Sequence, residues 1–122
     1  MFNSMTAFGD GRLTAEPELR KTKTGKSVCT FNLAVNHPGP NNAGAVSFVY
    51  VETWEKLADR CINLKKGQIV TITGAIRQDR WEGTDGKPVT RMKIVATRVI
   101  PGPEAGSKHE EIADADYDPE TE

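Results

Sequence analysis

Runs of alternating apolar and polar residues recur along most of this chain, separated by breaks rich in glycine, proline and asparagine. The clearest spans residues 28–36. Cys29, Phe31, Leu33 and Val35 fall on one side and Thr30, Asn32, Ala34 and Asn36 on the other, the period-two pattern of a half-buried strand. Residues 46–53 repeat it, with Val49 and Val51 opposite Phe48 and Tyr50. Residues 5–13 read as an earlier strand, bent or bulged at Gly9 and Gly11, and Phe8 and Phe31 are expected in the core. Residues 68–76 and 90–100 read as the fourth and fifth strands, and Asp85-Gly86 is a two-residue turn signal that makes their connection a long protruding hairpin carrying residues 77–81. Between the third and fourth strands the period changes. Leu57, Ala58, Cys61 and Leu64 form one apolar stripe, predicting a helix over 54–66 capped by Thr53 and stopped by Gly67.

The breaks complete the layout. Residues 21–26, Lys-Thr-Lys-Thr-Gly-Lys, predict a basic, turn-rich connection, and residues 37–44 a flexible loop. Pro101-Gly102-Pro103 closes the last strand, and the remaining residues are too acidic and too poor in apolar side chains to fold. The reading is therefore a single domain over 1–100 and a disordered acidic tail over 101–122. Five short strands with one helix between the third and fourth fit an all-β fold, a small closed barrel, better than a sandwich.

Charge changes the picture. The formal net charge is -1, yet up to Ile100 fifteen basic residues oppose nine acidic ones, while beyond it Lys108 alone opposes eight acids. A body of +6 joined to a tail of -7 points to a polyanionic partner for the body and a separate role for the tail. No apolar run is long enough to span a membrane, and the start has no signal-peptide pattern, so a cytoplasmic setting is expected. Cys29 and Cys61 form no CxxC motif, and neither His37 nor His109 stands at metal-ligand spacing from them. Two reduced structural thiols, no metal and no cofactor are expected. No GxSxG, Walker or HExxH pattern occurs, and Asp79 and Glu82 read as solvated charges, so no reaction is nominated.

Binding is better supported than catalysis. Proteins that grip single nucleic-acid strands pair a cationic groove for the phosphates with aromatic faces for the bases. Trp54, Trp81, Phe48 and Tyr50 are the stacking candidates, and packing or an oligomer interface is the competing use of each ring. Arg20, Lys21, Lys23, Lys26, Arg77, Arg80, Lys87 and Arg91 gather at the proposed loops and hairpin arms as candidate phosphate contacts, although any one alone is simply a solvated charge. Glu52 and Asp79 reduce the positive character of that surface.

With these residues in place the chain resembles the bacterial and phage single-stranded DNA-binding protein family. The matching pieces, in collinear order, are Gly11-Arg12-Leu13-Thr14-Ala15-Glu16-Pro17-Glu18-Leu19-Arg20, Phe31-Asn32-Leu33-Ala34-Val35-Asn36, Lys56-Leu57-Ala58-Asp59, Leu64-Lys65-Lys66-Gly67, Gly74-Ala75-Ile76-Arg77 running to Trp81, and Asp85-Gly86. The resemblance implies a five-stranded oligonucleotide-binding (OB) barrel, usually a homotetramer, that coats single-stranded DNA without sequence preference in replication, recombination or repair. It matches Phe48 and Trp81 to stacking tryptophans and Trp54 to a phenylalanine at the helix start. A further family tryptophan after the second strand has no counterpart, because His37-Pro38-Gly39-Pro40 stands there, and Asp79 takes a place commonly basic or neutral. Family tails end in an acidic tip with an apolar Pro-Phe end that docks replication and repair proteins. This chain keeps Asp114, Asp116 and Asp118, with Ile112 and Tyr117 as its apolar handles, but closes on Glu122. A tail that screens the groove or aids solubility is the competing reading. Two rival functions share the barrel: a primosome-type protein–protein adaptor with secondary nucleic-acid contact, and an RNA-binding barrel.

Overall fold

The computed structural model describes residues 4–41 and 44–103. Beyond them lie the tail candidates Ile112, Asp114, Asp116, Tyr117 and Asp118, and with them nearly all of the 101–122 segment. Six strands and one helix follow in the order β1 (Thr6–Leu13), β2 (Glu18–Lys21), β3 (Ser27–Asn36), β4 (Val46–Trp54), α1 (Glu55–Cys61), β5 (Ile69–Glu82) and β6 (Pro88–Pro101). Hydrogen bonding runs β1-β5-β6-β4-β3-β2, and a further β1–β3 pairing at Arg12↔Ala34 and Leu13↔Leu33 joins the ends. The five strands β1, β5, β6, β4 and β3 thus close into a ring, with β2 appended to β3. The fold is all-β, with its short helix leading from β4 into β5.

The inward residues are those the alternation selects. Cys29, Phe31 and Leu33 of β3, Val51 of β4, and Val70 and Ile72 of β5 form the core with Leu13, and Ala58, Cys61 and Leu64 cover it from the helix side. Val35 is only partly buried, being near the open end of the barrel. Phe8 departs from expectation: it is 76% exposed. The inward positions of β1 are Gly9 and Gly11, set opposite Ile72 and Val70 of β5, so the even positions of this strand face out. Glycine is required where the barrel closes, since a Cβ on Gly11 would come within 2.8 Å of the Leu33 Cβ.

Three further expectations are corrected. The stretch around Arg20 and Lys21 is not merely a connection, because β2 pairs along β3 with Arg20↔Val28 and Lys21↔Ser27. The basic turn shrinks to residues 22–26, closed by the Thr22 N–H donating to the Lys26 carbonyl at 2.9 Å. Thr53 does not cap the helix. It is fully buried and donates its hydroxyl to the Cys29 carbonyl at 2.8 Å, while the helix begins without a side-chain cap. The helix is also shorter than its apolar stripe. After Cys61 the Asn63 and Leu64 amides bond back to Arg60 and Cys61, tight three-residue turns that bring Leu64 inward and lead to Gly67 at φ 85. Gln68 then fixes the exit, accepting from the Lys65 amide and donating to the Gly102 carbonyl.

Candidate functional site

Residues paired across antiparallel strands project to the same side of a sheet, so the register states which side chains share the outer face. On β3 and β4 the outward rows are Val28 with Trp54, Thr30 with Glu52, Asn32 with Tyr50 and Ala34 with Phe48. β2 extends these rows with Arg20 beside Val28 and Glu18 beside Thr30. On the other flank of β4, Glu52 lies level with Val95 of β6. The hairpin arms carry the face onward through Arg77 opposite Lys93, Asp79 opposite Arg91 and Trp81 opposite Val89. One continuous surface therefore holds Phe48, Tyr50, Trp54 and Trp81.

These rings are available to a ligand to different degrees. Phe48 is 69% exposed, Trp81 44% and Trp54 37%. Tyr50 is half-buried, with the Arg91 guanidinium 3.9 Å above its ring centroid. The same guanidinium lies 5.4 Å from the Trp81 ring, so one arginine bridges an aromatic of β4 and an aromatic of the hairpin. Beside them a polar cleft of ≈ 310 Å³ opens between residues 14–18 and the sheet, lined by Glu16, Glu18, Thr30, Asn32, Tyr50 and Arg91.

Two acids of this face, Glu52 and Asp79, are paired. Glu52 is only 6% exposed and accepts both from Lys93, 3.1 Å from each carboxylate oxygen, and from the Trp54 indole N–H at 2.9 Å. Lys93 reaches on to Asp79 at 2.8 Å, and Asp79 also meets Arg91 at 3.4 Å. Burial alone would lower the Lys93 pKa, but hydrogen bonds to Asp79 and Glu52 raise it above the ordinary lysine value. The Lys93 hydrogen bond, opposed by burial and helped by the charges of Lys93 and Arg91, holds Asp79 below the ordinary carboxylate value. Two acids and two bases thus form one ionised chain across the face, and Glu52 fixes the orientation of the Trp54 ring.

The cations expected to hold phosphates do not all gather here. Arg20 and Arg77 share the aromatic face, and Lys87 sits at the hairpin tip in the turn closed by the Gly83 amide on the Lys87 carbonyl. Arg20, Arg77 and Lys87 enter no ion pair among the described residues. Arg80 is opposite Thr90 and projects to the other side of the arm from Trp81, its neighbour in the chain. Lys21 likewise alternates away from Arg20 and donates to the Ser27 hydroxyl at 2.9 Å. Lys23 and Lys26 are exposed in the turn at the far end of β2. Lys93 is a member of the site that the charge pattern did not nominate. The signal for it is the alternation of Arg91 and Lys93 against Met92 and Ile94, which places both cations on the outer face.

Among the described residues no cluster of three or more His, Cys, Asp or Glu side chains could hold a metal ion. Both cysteines are free and buried, and burial, with Cys61 nearby and a Thr53 hydrogen bond opposing, pushes the Cys29 thiol up to about 11. It is protonated at neutral pH and unsuited to nucleophilic work.

The profile of the Single-strand binding protein family matches residues 2–101. Among curated proteins, single-stranded DNA-binding protein 3 of Listeria innocua is 44% identical over 92 residues, 73% of this chain and 58% of that protein. The single-stranded DNA-binding protein of Oceanobacillus iheyensis is 40% identical over 92 residues, 73% of this chain and 57% of that protein. That of Caldanaerobacter subterraneus is 39% identical over 92 residues, 73% of this chain and 61% of that protein. The matched region spans less than two thirds of the length of these relatives.

Proposed function

The chain belongs to the Single-strand binding protein family, and on that premise we propose that the outer sheet face binds single-stranded DNA without sequence preference and without catalysis. The carrying observation is that Trp54, Tyr50, Phe48 and Trp81 share one face of a closed barrel with Arg20 and Arg77, with Lys87 at the hairpin tip beyond them. Every base has a π-face, so rings spaced along a surface accept any sequence, each stacked base contributing about 1–3 kcal/mol. Arginines and lysines beside them take up the phosphates and release counterions. Protection of exposed strands in replication, recombination or repair follows, in a cytoplasmic, nucleoid-associated setting. Among the described residues no helix is long and apolar enough to cross a membrane.

Self-association belongs to this proposal. β1 is paired to β3 only at Arg12 and Leu13, so the Thr6–Gly11 stretch has β5 on one edge and an open backbone on the other. Phe8 and Met5 are exposed there, beside an apolar opening of ≈ 270 Å³ lined by Leu33, Val35, Val49 and Ile72. Pairing of this edge with a second copy would cover both features, and a tetramer is the expected assembly. The acidic tail, with Asp114, Asp116, Asp118, Ile112 and Tyr117, is assigned the recruitment of replication or repair proteins.

Equilibrium binding to a labelled oligo-dT and to a duplex of equal length tests the function. The expected result is tight binding to the single strand, weak binding to the duplex, and an affinity that falls with salt by about 0.7 logarithmic units per tenfold for each phosphate engaged. Failure to bind oligo-dT at low salt by a folded protein would overturn the assignment and leave the adaptor reading in its place.

A further inference from the structure

Arg91 and Asp79 stand out because they occupy the site that they border. The guanidinium of Arg91 rests 3.9 Å over Tyr50, the position a nucleobase would take, while its charge is directed to the Asp79 carboxylate at 3.4 Å. We propose that Asp79 acts as an internal substitute for phosphate, holding Arg91 as a cover over Tyr50 until a nucleic-acid phosphate displaces it. This rests on the single-strand-binding reading of the same face and adds a specific competitor within it.

The geometry separates Arg91 from its neighbour. Lys93 is held by both Glu52 oxygens as well as by Asp79, and its side chain is largely buried, so loss of the Asp79 charge leaves it tethered. Arg91 has Asp79 as its one ion-pair partner among the described residues and is well exposed. Removing the Asp79 charge therefore releases one cation. An exposed pair of this kind is weak, which is what a displaceable cover requires. Its disruption by a phosphate exchanges one charge-assisted contact for another, while the vacated Tyr50 face gains a stacked base. The carboxylate of Asp79 thereby has a consequence for binding. It lowers the affinity and the number of phosphates engaged at a site otherwise built to bind.

The test is the affinity and salt slope of oligo-dT binding for the full chain and for Asp79→Asn, Arg91→Gln, the double variant, and Glu82→Gln. Glu82 lies on the same arm but on the opposite face, opposite Pro88, so its variant removes an equal charge without touching Arg91. Asp79→Asn is expected to bind roughly two- to fivefold tighter, with a salt slope steeper by about 0.7, one further phosphate. Both gains should vanish in the Arg91→Gln background, and Glu82→Gln should leave the slope unchanged. A gain that persists without Arg91, or an equal gain from Glu82→Gln, overturns the proposal by reducing Asp79 to a general repulsion. Equal affinity and slope for Asp79→Asn and the unaltered chain also overturns it while leaving the binding function intact. Absence of binding by every variant, the unaltered chain included, would instead remove the reading on which it stands.

Discussion

The two faces of β4 share one backbone and differ in nearly everything else. Inward, Val51 and Thr53 are sealed, and even the Thr53 hydroxyl is spent on the Cys29 carbonyl. Outward, Phe48, Tyr50 and Trp54 stay at least partly open, and the one deeply buried group, Glu52, is an acid held by Lys93 and the Trp54 indole. The inner face has no capacity left over. The outer face uses polar contacts to orient rings that nothing in the fold needs to bury. A strand whose second face is aromatic and uncovered leaves several large rings available to a ligand, at some cost to the stability the core supplies.

Substitutions on the two faces should separate stability from binding. The largest effect belongs inside: Phe31→Ala should lower unfolding free energy by about 3–5 kcal/mol, seen as a lower urea midpoint, because a ring is deleted from the closed core. High pH attacks the same region. The Cys29 pKa is raised in the folded protein from 9.0 to about 11, so its contribution is complete below pH 9 and is lost as pH rises towards 11. The loss due to Cys29 should reach about 2–3 kcal/mol in the unaltered chain and be missing from the stability–pH curve of Cys29→Ala. On the outer face Trp81→Ala should leave the urea midpoint nearly unchanged and weaken oligo-dT binding by about 1–3 kcal/mol at fixed salt. Phe48→Ala is the smallest in stability, within about 0.5 kcal/mol, and should still weaken binding. If Trp81→Ala and Phe48→Ala unfold the barrel as Phe31→Ala does, the contrast between the faces fails.

The strands were legible because β3, β4 and β5 bury one side and so must alternate, and the Asp85-Gly86 turn placed the hairpin. The features that escaped did so for particular reasons. β1 presents Gly9 and Gly11 inward, so its alternation of apolar residues points the wrong way and Phe8 reads as core. β2 is four residues long and exposed throughout, leaving no burial pattern to detect. Thr53 has the right chemistry for a cap, but strand parity turns it inward. The site was half legible for the same reason. Aromatic identity and charge could be read directly, whereas which cations share their face depends on parity: Arg77 and Arg91 do, Arg80 and Lys21 do not. The pairing of Glu52 and Asp79 with Lys93 joins positions distant in sequence, and neither period nor composition encodes it.

The most direct measurement is tryptophan fluorescence during titration with oligo-dT, using Trp54→Phe and Trp81→Phe so that each remaining indole reports alone. Uncovered rings that take up bases should both be quenched saturably, at a midpoint that moves to higher oligonucleotide concentration as salt is added. Unaltered emission from both indoles in folded protein, up to saturating oligonucleotide at low salt, would contradict the account.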